Sequence, residues 1–206
     1  PLTNVNKNIL LYVGIGITCF GEFIRILTVG YTPPGTSGRN TKQQLASSLN
    51  KKGIYSVVRH PLYLGNLFMF SGPFIFTGNI FCILIFLLTF WLYYERIMIA
   101  EEVYLNHKFK DVFINWSNRT PAIIPKFFNF KKSDLKFSFR KVFEGEYSGM
   151  CAIIAVFTVL VVARNSFYEI SPVISNSWKI LFIGNLVVYI ILRVLKKLKR
   201  YKFNQK

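Results

Sequence analysis

Acidic residues are few in this sequence: 9 Asp and Glu among 206 residues, against 26 Lys and Arg. Cysteine is also scarce. Cys19, Cys82 and Cys151 stand singly, far apart and inside apolar runs, which excludes a disulfide framework and a cysteine-built metal cluster, and no metal is expected. The glycines at Gly14-Ile15-Gly16 and Gly21 do not have dinucleotide-fingerprint spacing, and no strand precedes them. They read instead as small residues for helix packing within a membrane.

What is present is apolar and segregated. Hydrophobic residues make up 52% of the chain and aromatics 17%, with charge sparse in 9–31, 62–77, 80–94, 150–162 and 178–192 and dense between. A membrane-spanning helix needs roughly 20 mostly apolar residues at about 1.5 Å each. The first run meets this alone and the others do so with their flanks. Residues 62–94 are too long for one helix, and Gly72-Pro73 and Gly78-Asn79 both interrupt the pattern. A tight helical hairpin turning near Thr77-Gly78-Asn79 is therefore expected. The fold expected is all-α and polytopic, with about five transmembrane helices.

The cations set the orientation. With five spans, residues 32–61, 95–149 and the C-terminal tail share one side, and that side carries nearly all the Lys and Arg. The positive-inside rule makes it cytoplasmic. Topology thus accounts for the positive charge better than nucleic-acid binding does, and no nucleic-acid partner is expected. The sequons at Asn115 and Asn118 fall on this side and are expected to stay unglycosylated. The chain begins with Pro1 rather than Met, so its true N-terminus is expected upstream, and residues 10–29 are too long and too polar at their end for a simple cleaved signal.

Three places could carry chemistry. Glu22 and Arg25 lie three apart in the first span; they read as a structural pair ahead of a functional one, with Arg25 near enough to the end to snorkel. The second is Arg59-His60-Pro61-Leu62-Tyr63-Leu64-Gly65-Asn66. Pro61 suits the first turn of a helix, which puts Arg59 and His60 just before a helix N-terminus at the membrane boundary. That combination suits a carboxylate or phosphate, with Tyr63 and Asn66 in reach and Gly65 permitting close approach. Third, three of the few acids, Glu95, Glu101 and Glu102, fall within eight residues. The hairpin returns them to the depth of Arg59 and His60, so they could be the anionic half of one pocket.

Together these residues resemble the isoprenylcysteine carboxyl methyltransferase and phospholipid methyltransferase family of membrane enzymes. The resemblance rests on Gly53-Ile54-Tyr55, on Arg59-His60-Pro61-Leu62-Tyr63-Leu64-Gly65, on Glu101-Glu102, and on the aromatic run Phe109 to Trp116 before Thr120-Pro121 and Pro125. It implies S-adenosylmethionine as cofactor, bound by Arg59, His60, Tyr63, Gly65, Asn66, Glu101 and Glu102. It also implies a lipid or lipidated acceptor entering from the bilayer and a site facing the cytoplasm. No side chain is singled out as catalytic. Arg39 and Arg119 are candidate substrate contacts. The resembling core is taken as 1–125, followed by a basic aromatic interfacial linker, 126–149, and a C-terminal hairpin and tail, 150–206. The alternatives are a membrane reductase using a nicotinamide cofactor and a non-enzymatic membrane scaffold.

Overall fold

The structure, a computed structural model, describes residues 7–33, 46–167 and 176–204. Six α-helices account for most of it: α1 (Lys7–Gly30), α2 (Pro61–Thr77), α3 (Ile80–Phe109), α4 (Asp111–Ser117), α5 (Phe139–Phe167) and α6 (Asn176–Asn204). Among the described residues there is no sheet, only an isolated antiparallel bridge between Gly53 and Lys131. Four helices, α1, α3, α5 and α6, are long and apolar enough to cross a membrane. At 17 residues α2 is about 26 Å long, a little short of a hydrocarbon core of about 30 Å. It lies antiparallel against α1 and is the fifth helix of the expected five.

The chain divides into two compact units, Pro1–Phe139 and Arg140–Lys206. These boundaries differ from those expected at 125 and 149. Residues 126–138 are not a linker, because they fold onto the first unit. Gly53 N–H donates to Lys131 O at 2.7 Å, Lys126 N–H to Val57 O at 2.9 Å, and Ser138 N–H to Gly30 O at 3.0 Å. Residues 139–149 are already helical and run unbroken into the apolar part of α5. The second unit is an antiparallel hairpin in which Asn185 donates to Cys151 O and Lys196 to Glu144 O.

Small residues set the α1–α2 approach. Gly14, Thr18 and Gly21 on α1 face Gly72, Met69 and Gly65 on α2. A Cβ on Gly21 would lie 2.3 Å from Met69 N and 2.5 Å from Gly65 O, and one on Gly72 only 2.2 Å from Gly14 O. The backbones touch, the main source of helix affinity where lipid removes the hydrophobic drive. Gly16 points away and meets nothing.

The same contact explains how α2 runs through Pro73, which the sequence pattern treats as an interruption. Proline at position i has no N–H for the carbonyl at i−4. Here that carbonyl belongs to Met69, and Thr18 Oγ1 donates to it at 3.1 Å from α1. The break expected at Gly78-Asn79 does occur. Gly78 takes a left-handed φ of 64° and the Asn79 side chain caps α3 at Phe81 and Cys82 N–H.

Leucine at Gly21 or Gly72 must force these helices apart, a cost of about 1–3 kcal/mol for overpacking. Thermal unfolding in detergent should show both variants clearly destabilised, with Gly16→Leu close to the parent protein.

Candidate active site

The site is built where α1 ends, α2 begins and α3 passes. Its lead-in is the segment 53–60. Gly53 takes φ 62° and ψ −138°, a conformation L side chains rarely adopt, which turns the chain into a short 3-10 turn at Ile54–Ser56. Val57 and Val58 then bury against Ile24 of α1 and Leu64 of α2. Residues 121–126 run alongside: Arg59 N–H donates to Pro121 O at 2.9 Å and His60 N–H to Ala122 O at 3.1 Å. The backbone carrying Arg59 and His60 is thus held from both sides before α2 starts at Pro61.

Opposite charges meet across the α2–α3 gap. His60 is 5% exposed, and its Nε2 lies 2.8 Å from Glu102 Oε1. An ionised carboxylate only accepts, so this ring nitrogen carries the proton. Its Nδ1 lies 3.7 Å from Glu101 Oε2. Arg59 Nε is 3.1 Å from Glu102 Oε1, and its Nη1 donates to Ser117 O, at the end of α4, at 3.2 Å. The Tyr63 hydroxyl donates to Glu101 Oε2 at 2.8 Å, with its ring stacked 5.4 Å from the His60 ring.

A second polar chain joins α1. Arg25 donates to the Asn66 side-chain oxygen, Asn66 Nδ2 donates to the Tyr94 hydroxyl at 2.9 Å, and Glu22 lies 3.9 Å from Arg25. The Tyr63 and Tyr94 rings, 5.1 Å apart, bring the two chains together. Arg25 therefore points into the protein instead of snorkelling. Gly65, expected to make room for a ligand, is filled by Arg25, whose Cγ would sit 2.6 Å from a Cβ there. Tyr55 adds a neutral phenol. Burial first, then the Glu101 charge, push it well above the usual tyrosine value, a rise that its hydrogen bond with Thr32 only partly offsets.

Six of the seven expected cofactor residues, Arg59, His60, Tyr63, Asn66, Glu101 and Glu102, thus fall in one linked cluster, and Glu101 and Glu102, rather than Glu95, make its ion pairs. Arg119 does not join them: it is exposed and lines a separate cavity beyond α4. Arg39 lies outside the described residues. Arg25 was weighed from sequence only as half of a pair with Glu22 that reads as structural first, on the signal of its intramembrane position. Trp116 entered only as the end of the aromatic run, and Tyr94 was not singled out as a site residue. Beside Tyr63 and Tyr94, between α2 and α3, lies an apolar hollow of about 180 Å³ whose walls include Leu67, Leu87, Phe90 and Trp91.

The Trp116 indole N–H donates to Tyr55 O at 3.0 Å, pinning α4 to the lead-in. Trp116→Phe keeps an aromatic group but removes the indole N–H and part of its buried volume, for a loss of about 1 kcal/mol or more. A lowered unfolding temperature in detergent should register it, and an unchanged one would show that the tether contributes nothing.

Comparison with known proteins bears on this cluster. The phospholipid methyltransferase family pattern matches residues 10–112. Similar proteins include the protein-S-isoprenylcysteine O-methyltransferase of Schizosaccharomyces pombe, 29% identical over 117 residues, covering 54% of this chain and 48% of that protein. That of Rattus norvegicus is 27% identical over 115 residues (54% and 40%), and that of Saccharomyces cerevisiae 32% over 85 residues (41% and 36%). The chain spans half or less of the length of these relatives. No solved structure matches. The matched stretch contains most of α1, all of α2 and α3 and every side chain of the Arg59–His60–Glu101–Glu102 cluster, and the chain belongs to the phospholipid methyltransferase family.

Proposed function

We propose that this protein is a membrane methyltransferase that uses S-adenosylmethionine to methylate a carboxylate on a lipid-bearing acceptor, at the cytoplasmic face. The observation that carries the proposal is the meeting of Arg59 and His60 with Glu101 and Glu102 across α2 and α3. The donor set fits the cofactor. Its carboxylate matches Arg59 and His60, its ammonium or ribose hydroxyls match Glu101 and Glu102, and its adenine and sulfonium match the Tyr63 and Tyr94 faces. The Arg59 guanidinium and the His60 ring now pair with these carboxylates. A ligand bearing both charges exchanges one internal ion pair for two, so neither half is left buried and unpaired. When bound, S-adenosylmethionine supplies a methyl group activated by its positively charged sulfur.

The chain's own residues would then act by placement. Arg59 is fixed by Ser117 O and Glu102, and His60 by Glu102 and the Ala122 carbonyl, so their donors hold their positions without a ligand. An ionised carboxylate arrives already nucleophilic, so no side chain has to remove a proton. The hollow between α2 and α3 offers apolar walls for a lipid chain next to the polar cluster. The relatives are named for action on isoprenylcysteine, whose terminal carboxylate sits beside a prenyl thioether. The cytoplasmic assignment follows from the cations Lys51, Lys52, Arg59 and Arg119, at the end where α2 begins and α3 leaves.

Calorimetry on the detergent-solubilised protein should detect S-adenosylmethionine binding and none of a reduced nicotinamide dinucleotide. His60→Ala and Glu102→Gln should each weaken the binding about tenfold or more, the value of a charge-assisted hydrogen bond. If no binding occurs at millimolar cofactor, the proposal fails.

The acceptor can be read from the product. Incubation with methyl-labelled cofactor and either a prenylcysteine analogue or a total lipid extract should place label in a methyl ester, released as labelled methanol by mild alkali. Alkali-stable label would instead identify an amine acceptor and overturn the carboxylate assignment.

A further inference from the structure

A second cavity, of about 890 Å³, borders the lead-in and shares no lining residue with the charge cluster. Its walls come from the 3-10 turn with the lysines before it, from α4, and from the segment 128–131 that folds back on Gly53. Lys51, Lys52, Arg119 and Lys131 line it and no carboxylate does. Asp134 takes Lys52 in an ion pair, which leaves Lys51, Arg119 and Lys131 facing the space. The floor is firm: Ser56, Trp116 and Thr120 are buried, Trp116 is tied to Tyr55 O, and Lys131 N–H donates to Ser56 Oγ at 2.8 Å.

The segment that supplies Phe128 and Phe130 to the wall also exposes large apolar side chains. Phe128 is 100% exposed, Ile124 80%, Phe127 74% and Phe130 63%. Bulky aromatics on a short loop, interleaved with Lys126, Lys131 and Lys132, match the headgroup region of a bilayer, where rings enter the acyl boundary and cations meet phosphates. A soluble anion would need only the cations.

We propose that this cavity holds the phosphate of an anionic phospholipid, with the Ile124–Phe130 aromatics seated in the same leaflet. The site is separate from the proposed methyl-transfer centre and does not depend on that activity. Through Trp116 and Ser117, however, its α4 wall is continuous with the anchor of Arg59.

The test uses the full chain in neutral detergent, with Trp91→Phe and Trp178→Phe leaving Trp116 as the sole reporter in the cavity wall. Short-chain phosphatidylglycerol should change the Trp116 fluorescence at a concentration roughly tenfold below short-chain phosphatidylcholine, a preference in line with the attraction of basic residues for anionic headgroups. The triple substitution Lys51→Gln, Arg119→Gln, Lys131→Gln should abolish that preference, whereas the corresponding arginine substitutions at Lys51 and Lys131 should keep it. Removing equal charge elsewhere, by Lys108→Gln, Lys136→Gln and Lys197→Gln, should also keep it. Equal response to both lipids, or a preference surviving in the triple variant, overturns the proposal. So does competition by millimolar inorganic phosphate or a polyglutamate peptide as strong as that by the lipid, since the occupant would then be a soluble anion or an acidic protein.

Discussion

Charge pairing between the entry of α2 and the far part of α3 is the constraint that organises this protein. A carboxylate or guanidinium that leaves water needs an opposite charge or several hydrogen bonds, and the requirement is strictest beside a membrane. Glu102 meets it for both Arg59 and His60, and Glu101 for His60 and Tyr63. The α2–α3 hairpin is therefore closed at both ends, by Gly78 and the Asn79 cap at one and by this cluster at the other. A further Arg59 donor, Nη1, brings in Ser117, and so α4, and the backbone beside Arg59 and His60 brings in residues 121–126.

The attachment of α1 follows a different rule. Its backbone reaches α2 because glycine and threonine face glycine along one stripe, and the closeness lets Thr18 supply the donor that Pro73 lacks. One turn beyond Gly21, the same face presents Arg25, which fills the space over Gly65 and engages Asn66. Packing and polarity thus alternate along a single helix face, and an intramembrane arginine is satisfied without reaching solvent.

A cluster whose guanidinium and carboxylates are already paired with each other is poised for a zwitterionic ligand. Each half has the sign that the ligand's opposite half requires, and the pairs within the cluster are the ones a ligand would divide. Most of the 26 cations lie outside this cluster, where they bear on membrane orientation and on contact with anionic lipid.

Several features were legible in the sequence because they depend on composition along the chain. Apolar run lengths determined the helices, Gly78-Asn79 the hairpin turn, Pro61 the start of α2, and the scarcity of acids drew attention to Glu101 and Glu102. Pro73 misled as a breaker, since the donor that rescues its turn comes from a helix about fifty residues away. Gly65 misled as open space, since the side chain that fills it comes from α1. Residues 126–138 read as a linker because their role is backbone pairing with 53–57, and hydrogen bonds between peptide groups leave no mark on side-chain pattern. The sequence by itself determined which residues sit in lipid and which charges need partners, because burial and Coulomb attraction act on residue type. Only the tertiary structure decided which partner each charge has, because that depends on how two or three helices are rotated against one another.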